Sequence, residues 1–504
     1  MTQNPSAAIP GEAHWRWLVF AALAAFSMGV YLLVSAQRYG PGFPLDDAWI
    51  HQTYARNLAL YGEWSFVPGQ PSAGSTGPLW AGLLSLGHIL GLGPYVAAYY
   101  LGWLSLLALG VFGAAAFERL APSRRKWGFW AGALLMFEWH LVWAAASGME
   151  TAFFAVFSLA VFLALLVAVP RAQTGRLYWF GLGALVGLSV WVRPDGLTLL
   201  GPVIFSLALR GAASDKKMSQ VLVLLAGFAL LFVPYLLFNQ STAGAFWPNT
   251  FYAKQAEYAV LRENPFLVRW LKEAAIPLLG VGVVLLPGFL YAFFVGVRTR
   301  RWPVVAAGLW VLGYLGLYAW RLPVLFQYGR YVMPVIPIFL LLGFDGLARL
   351  VHLHSKRMAI RVVSRAWLLI VFVVALSFWV MGARIYARDV EIIESEMVAT
   401  AHWVAENTAP NALIAAHDIG ALGYFSGRPI VDLAGLISPD VIPFIRDEAR
   451  LEAYLTEQGV DALVTFPGWY PALSARAPLS FTTDAPLSIE LNYENMAVYE
   501  WNHP

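Results

Sequence analysis

The chain has 504 residues, of which 59% are hydrophobic and 12% charged, and its mean hydropathy is +0.62. Soluble globular chains carry about 25% charge, so the composition excludes a soluble enzyme and a disordered chain; continuous apolar runs exclude a β-barrel porin, whose strands alternate. The net charge of +3 hides a split: residues 385–504 hold 17 Asp/Glu against 5 Lys/Arg, and residues 1–384 hold 13 against 28. There is no cysteine, so disulfide frameworks, thiolate zinc sites and cysteine nucleophiles are out of consideration. The expected fold class is a polytopic α-helical membrane protein: a membrane body, 1–384, followed by a small acidic α/β soluble domain, 385–504.

In chain order, the run 15–35 is long enough to cross a hydrocarbon core about 30 Å thick. It lacks a small-residue cleavage site and is expected to be a retained first helix. Further spans are expected at 95–116, 127–146, 151–169, 178–192, 197–209, 219–238, 274–297, 303–320, 331–348 and 366–384. The stretch 78–92 is short for a crossing and is expected to lie in-plane or re-enter, which leaves about 11 transmembrane helices. In the tail, 390–407 is amphipathic, 448–458 reads as a helix, and 412–416, 429–432, 462–466 and 496–501 read as short strands.

Basic residues favour the cytoplasmic side. Arg119, Arg124, Arg125 and Lys126 share one loop; Arg171 and Arg176, then Arg210, Lys216 and Lys217, then Arg298, Arg300 and Arg301 occupy others; Arg349, Lys356, Arg357, Arg361 and Arg365 form the richest. All face the cytoplasm together if 147–150, 193–196, 240–273, 321–330, the first loop 37–77 and the acidic tail face outward. The expected location is therefore the cell membrane, multi-pass, with the tail extracytoplasmic.

The ionisable residues of the body collect on that outward side, and such residues usually have a functional reason to be there. Asp46 and Asp47 follow the first helix and open an amphipathic segment carrying His51, Tyr54 and Arg56. Two adjacent carboxylates can serve as a base and its orienting partner, or bind a cation; a helix N-cap is the plainer alternative. Glu150 begins an apolar helix, where it either complements the helix dipole or lines an outward cavity. Arg193-Pro194-Asp195-Gly196 interrupts an apolar stretch, which is tolerated at membrane depth only beside protein or a wet cavity; Arg193 and Asp195 can also simply pair. Phe246-Trp247-Pro248-Asn249-Thr250-Phe251-Tyr252-Ala253-Lys254 sets a lysine among aromatics and amides, suited to a phosphate and a sugar together, or to an interfacial belt with one snorkelling lysine. Arg330, in Gln327-Tyr328-Gly329-Arg330-Tyr331, can bind an anion or anchor a helix end. No Walker loop or GxGxxG is present. His51, His88, His140 and His417 have no metal-ligand spacing, and His417-Asp418-Ile419-Gly420 reads as a strand-to-helix turn.

In this order, Asp46-Asp47-Ala48-Trp49-Ile50 with Tyr54-Ala55-Arg56-Asn57-Leu58, Pro68-Gly69, Gly74-Ser75-Thr76-Gly77-Pro78-Leu79-Trp80, Ser147-Gly148-Met149-Glu150-Thr151, Arg193-Pro194-Asp195-Gly196-Leu197, Pro248-Asn249-Thr250-Phe251-Tyr252-Ala253-Lys254 and Gly329-Arg330-Tyr331 resemble the GT-C superfamily of membrane glycosyltransferases. The likeness is greatest to mycobacterial-type terminal arabinofuranosyltransferases and their uncharacterised relatives. Asp432-Leu433-Ala434-Gly435-Leu436 in the tail is also reminiscent of them. Trp64-Ser65-Phe66-Val67-Pro68 and Gly77 depart from the pattern, on the acceptor side of the first loop. The resemblance implies transfer of a sugar from a polyprenyl-phosphate donor to a hydroxyl of a glycan, lipid or protein acceptor at the outer face, by inversion. It implies Asp46 as base, Asp47 as its orienting partner, Lys254, Arg330 and Arg193 at the donor phosphate, and His51, Tyr54, Arg56, Glu150, Asp195, Asn249, Tyr252 and Tyr331 around the substrates. No cofactor is expected; a divalent metal is compatible with the acidic pair, though no spacing requires it. No nucleic-acid partner is expected, and the oligomeric state is not legible. The alternatives are a transporter or flippase for a lipid-linked or anionic substrate, and a non-catalytic assembly protein recruiting partners through its tail.

Overall fold

A computed structural model describes residues 10–168, 175–210 and 214–501; Arg171 of the second basic loop lies outside them. Among the described residues eight helices are long and apolar enough to cross a membrane, and a ninth arises if Pro122–Met136 and Trp139–Ala146, bent by 55°, form one span. Arg176–Val192 and Pro194–Ala208 are shorter apolar helices. The expected run 127–146 is thus broken, and the reason is local: buried Glu138 accepts a hydrogen bond from the Leu141 N–H (2.9 Å) and so caps a new helix. The stretch 78–92 forms the helix Pro78–Ile89, roughly 18 Å long at 1.5 Å per residue and too short to cross.

Two spans define the polarity of the body. Trp302–Arg321 begins at Arg301 in a basic loop and ends at Arg321; Phe326–Leu350 runs back the other way to Arg349. Arg301 Nη2 and Arg349 Nη2 both donate to the Leu120 carbonyl, at 2.8 and 3.0 Å. Three basic loops therefore meet at one end of the bundle. Arg321 and Arg330 sit at the other end, as do Glu150 at the start of Thr151–Ala168 and Arg193 at the end of Arg176–Val192. The segment 240–273, expected as a loop, carries two helices there, Asn249–Glu257 and Phe266–Ala275.

The last helix, Met358–Ile393, passes without a break through position 385 and continues by a wide turn, Glu394–Val398, into Ala399–Asn407. In the first loop β1 (Ser65–Val67) and β2 (Gln70–Pro71) form a small hairpin. The tail sheet contains β3 (Ile414–Ala416), β4 (Ile430–Asp432), β5 (Ala462–Thr465), β6 (Leu479–Thr482) and β7 (Ala497–Glu500), in the order β4-β3-β5-β7-β6. The strands β4, β3 and β5 are parallel, and β7 and β6 close the edge antiparallel. Only β6 was not expected; its residues are partly exposed, so its hydrophobic pattern is weak. The helix Glu448–Gln458 packs Leu451 and Leu455 into a core with Leu463. In open α/β sheets the carboxyl ends of parallel strands are where ligands gather. Here the carboxyl ends of β3 and β4 lead into His417–Gly420 and Leu433–Ile437, and both turns dock on the end of the membrane body opposite the basic loops.

Candidate active site

At that end a cavity of about 360 Å³ opens between the first loop, the helix Asn249–Glu257, four membrane helices and the tail. Asp47, the first residue of the helix Asp47–Tyr61, enters it. Its Oδ2 takes a hydrogen bond from Lys254 Nζ (3.1 Å) and one from Arg330 Nη2, and Tyr331 OH lies between the two cations, 2.8 Å from Lys254 Nζ and 3.2 Å from Arg330 Nη2. Burial by itself would raise the Asp47 carboxyl; the charges and hydrogen bonds of Lys254 and Arg330 outweigh it and hold the group far below the usual range. Arg330 is 4% exposed and its Nη1 has no hydrogen-bond partner among the described residues. It follows three consecutive left-handed residues, Gln327 (φ 52°), Tyr328 (φ 59°) and Gly329 (φ 66°). Two of these are not glycine, at a cost of order 1–3 kcal/mol each, so surrounding packing must impose this turn. Tyr328 is tied down by its OH to Asp389, at 3.0 Å.

A second charged group faces the same cavity. His51 Nδ1 lies 3.1 Å from Ser75 Oγ and its Nε2 3.1 Å from Glu150 Oε2. Glu150 Oε1 is 3.6 Å from Arg193 Nη1; Arg193 donates to Asp195 (3.0 Å) and to Tyr318 OH (3.1 Å), and the Tyr314 and Tyr318 hydroxyls donate to the same Asp195 oxygen. Gly148, at φ +77°, turns the chain so that Glu150 begins its helix facing inward; an added Cβ there would come within 2.7 Å of the Phe43 ring.

Asp46 corrects the expectation for the acidic pair. It does not line the cavity. Its two oxygens accept the Gly420 N–H (2.7 Å) and the Ala421 N–H (2.8 Å) of the tail. Burial, then the Asp418 carboxylate, push it up to about 8 against the pull of those N–H groups. Arg56 also turns to the tail, donating to the Tyr424 and Gly423 carbonyls at 2.5 and 3.1 Å. Tyr54 is buried under the floor, bonded to Ser72 Oγ (2.6 Å) and the Gly74 N–H (2.9 Å). Asn249 anchors its helix through its backbone N–H to Ala73 O (3.1 Å), and Tyr252 is 39% exposed on the outside. The remaining expected residues, His51, Glu150, Arg193, Asp195, Lys254, Arg330 and Tyr331, line the cavity with Asp47.

The tail completes the site. The turn after β4 wraps around Asp432, whose oxygens accept the N–H groups of Ala434 (2.8 Å), Ile437 (2.8 Å) and Leu436, and it presents Leu436 to the cavity. His417, expected to be only part of a turn, bridges Glu257 Oε1 (3.0 Å) and Asp418 Oδ1 (3.4 Å). Burial would lower its proton affinity, but the bonds to Asp418 and Glu257 raise it to about 10. The imidazolium thus grips the end of the helix that carries Lys254. Leu436, part of the tail segment that resembles the relatives, enters the cavity, and so do Arg321, Gln255 and Tyr318, which the sequence did not single out; of these Arg321 carried a signal, as a charge in a loop expected to face outward. Among the described residues no three His, Asp or Glu side chains converge as a metal set.

Comparison with solved structures defines the class of the fold. The Archaeoglobus fulgidus oligosaccharyltransferase in its apo form superposes with a TM-score of 0.62 at 12% identity, over 89% of this chain and 69% of that one. ArnT from Cupriavidus metallidurans bound to undecaprenyl phosphate superposes with a TM-score of 0.55 at 15% identity, over 96% of this chain and 98% of that one. The arabinofuranosyltransferase AftD from Mycobacteria superposes with a TM-score of 0.53 at 17% identity, over 92% of this chain and 37% of that much longer one. The chain has the GT-C fold of membrane glycosyltransferases. A family described as a domain of unknown function (DUF8728) matches residues 385–500. No curated protein matches the sequence.

Proposed function

We propose that the protein is a membrane glycosyltransferase that moves a sugar from a polyprenyl-phosphate donor to an acceptor hydroxyl at the outer face of the membrane. The observation that carries this reading is the convergence of Asp47 with Lys254 and Arg330 in one cavity. A base and two cations are what displacement at an anomeric carbon needs. The acceptor oxygen attacks that carbon, its proton passes to the Asp47 carboxylate, and the bond to the donor phosphate breaks with its electron pair leaving on phosphate oxygen. Lys254 and Arg330 stabilise that charge as it grows, and the unpartnered Nη1 of Arg330 supplies a further donor. One displacement inverts the configuration.

Paired to two cations, Asp47 is a weak base. A donor phosphate drawing on the same cations relieves that hold and raises the proton affinity of Asp47. The base therefore strengthens when the donor binds, which couples chemistry to donor occupancy. The His51, Glu150, Arg193 and Asp195 group is suited to sugar hydroxyls. The outward orientation is supported by the basic loops at the opposite end of the spans. Neighbours of the fold add support: one is solved with undecaprenyl phosphate, another with an inhibitory peptide and a dolichol-phosphate.

The test is transfer by Asp47→Asn and Asp46→Asn in membranes supplied with lipid-linked sugars. Asp47→Asn is expected to lose about 10²–10⁴-fold in kcat while inserting normally. If Asp47→Asn stays active and Asp46→Asn is dead, the base has been misassigned.

A further inference from the structure

The four cations on the cavity wall are not equivalent. Lys254 and Arg330 face Asp47, and Arg193 faces Glu150 and Asp195. Arg321 has no carboxylate within ion-pair distance among the described residues: its Nη2 donates to Gln255 Oε1 (2.8 Å), and its guanidinium lies 4.8 Å from the Phe251 ring centre. Neutral groups hold it in place without cancelling its charge. It is half-buried, where Arg193 and Arg330 are buried.

Its position is as informative as its charge. Arg321 is the last residue of the span Trp302–Arg321, at the end of the bundle opposite the Arg301 and Arg349 loops, where the interface of a span that long is expected. Beside it Trp320, whose ring centre lies 5.7 Å from the guanidinium, is 62% exposed, as aromatics at a membrane interface are. The cavity wall next to it is apolar: Leu197, Trp247, Leu317 and Leu322. An uncompensated guanidinium at the end of a span, with hydrocarbon-compatible surface on one side and Lys254 one residue from its Gln255 partner on the other, matches an anion that carries a long apolar chain. A guanidinium fork suits phosphate oxygens.

We propose that Arg321 is the donor-capturing residue: it binds the phosphate of an isoprenoid phosphate at the rim and delivers it toward Lys254 and Arg330. The proposal rests on the donor reading above and names the residue that selects the donor's headgroup. A residue serving only as a helix-end tether to Gln255 would leave lipid affinity unchanged.

The experiment is native mass spectrometry of the full chain titrated with undecaprenyl phosphate, with phosphatidylglycerol and inorganic phosphate as competitors, for wild type, Arg321→Gln and Arg321→Lys. Folding of each variant is checked by thermal unfolding. Arg321→Gln is expected to weaken undecaprenyl-phosphate binding roughly tenfold, the loss of one charge-assisted contact, and Arg321→Lys to recover part of it; in transfer assays the loss falls on the donor KM. Neither competitor should displace the bound lipid. Equal binding by wild type and Arg321→Gln overturns the role of Arg321 and leaves the donor reading standing. Displacement by phosphatidylglycerol overturns it in favour of a general phospholipid site, and displacement by inorganic phosphate in favour of a bare anion site. No saturable binding by wild type overturns the donor reading itself.

Discussion

The membrane body and the tail use the same apolar residues in opposite ways. In the body large side chains point outward, as with Leu177 (83% exposed) and Phe372 (62%), while the charges turn inward to the cavity. In the tail Leu451, Leu455 and Leu463 are fully buried and charges such as Arg446 and Asp447 stand in solvent. Lipid is as apolar as leucine and gives no reason to hide it; water does. At the seam between the two regions the polar groups turn away from both solvents, and each must find a partner on the other side. Glu257 and His417 pair across it, while Asp46 accepts backbone N–H groups of the tail and Arg56 donates to its carbonyls.

The sharpest test of this contrast separates the two neighbouring aspartates. Asp47→Asn should remove nearly all transfer, whereas Asp46→Asn should act mainly on the seam. Next, Leu463→Ala in the tail core should cost about 2–5 kcal/mol in denaturant unfolding of the tail. Leu290→Ala, at a position 57% exposed on the body, should cost under about 0.5 kcal/mol in the membrane, because lipid fills the space; equal costs would break the comparison. Third, Asp46→Asn should destabilise tail docking by about 1–3 kcal/mol, since the amide offers one acceptor oxygen to the Gly420 and Ala421 N–H groups and turns its NH2 on the other, read as faster proteolysis of the tail. The last effect is on pH. His417 is raised from 6.5 to about 10, so its stabilisation is complete below about 6.5 and fades as pH climbs toward 10. The loss should be about 2 kcal/mol between pH 6.5 and 8.5. Asp46, raised to about 8, works in the same direction, so His417→Gln should flatten only part of the slope, and an unchanged slope would remove His417 from the seam.

Much of the architecture was legible because it is written in local pattern. Apolar runs, basic loops and the alternation of short strands gave most helices and four of the five tail strands. Breaks were harder to read: the one at 137–138 depends on Glu138 finding the Leu141 N–H, and the left-handed turn at Gln327 and Tyr328 depends on packing. Within the site, the residue types that would converge were visible as charges in the loops expected to face outward. Which of two adjacent carboxylates faces the cavity was not, because consecutive residues at a helix start point in directions set by what packs around them. The tail's share in the cavity was equally hidden, since Leu436 and His417 lie more than a hundred residues from Lys254 and Glu257 in the chain.

Composition and charge order were enough to specify a membrane bundle with an acidic appendage and a polar end, because burial of apolar surface and the sidedness of basic loops act on stretches of sequence. The partners of individual charges came from three-dimensional packing. Asp46 belongs to the tail, Asp47 to Lys254 and Arg330, and Arg321 to no carboxylate among the described residues. A buried charge is governed by neighbours a few ångströms away, and those neighbours are brought in from distant parts of the chain.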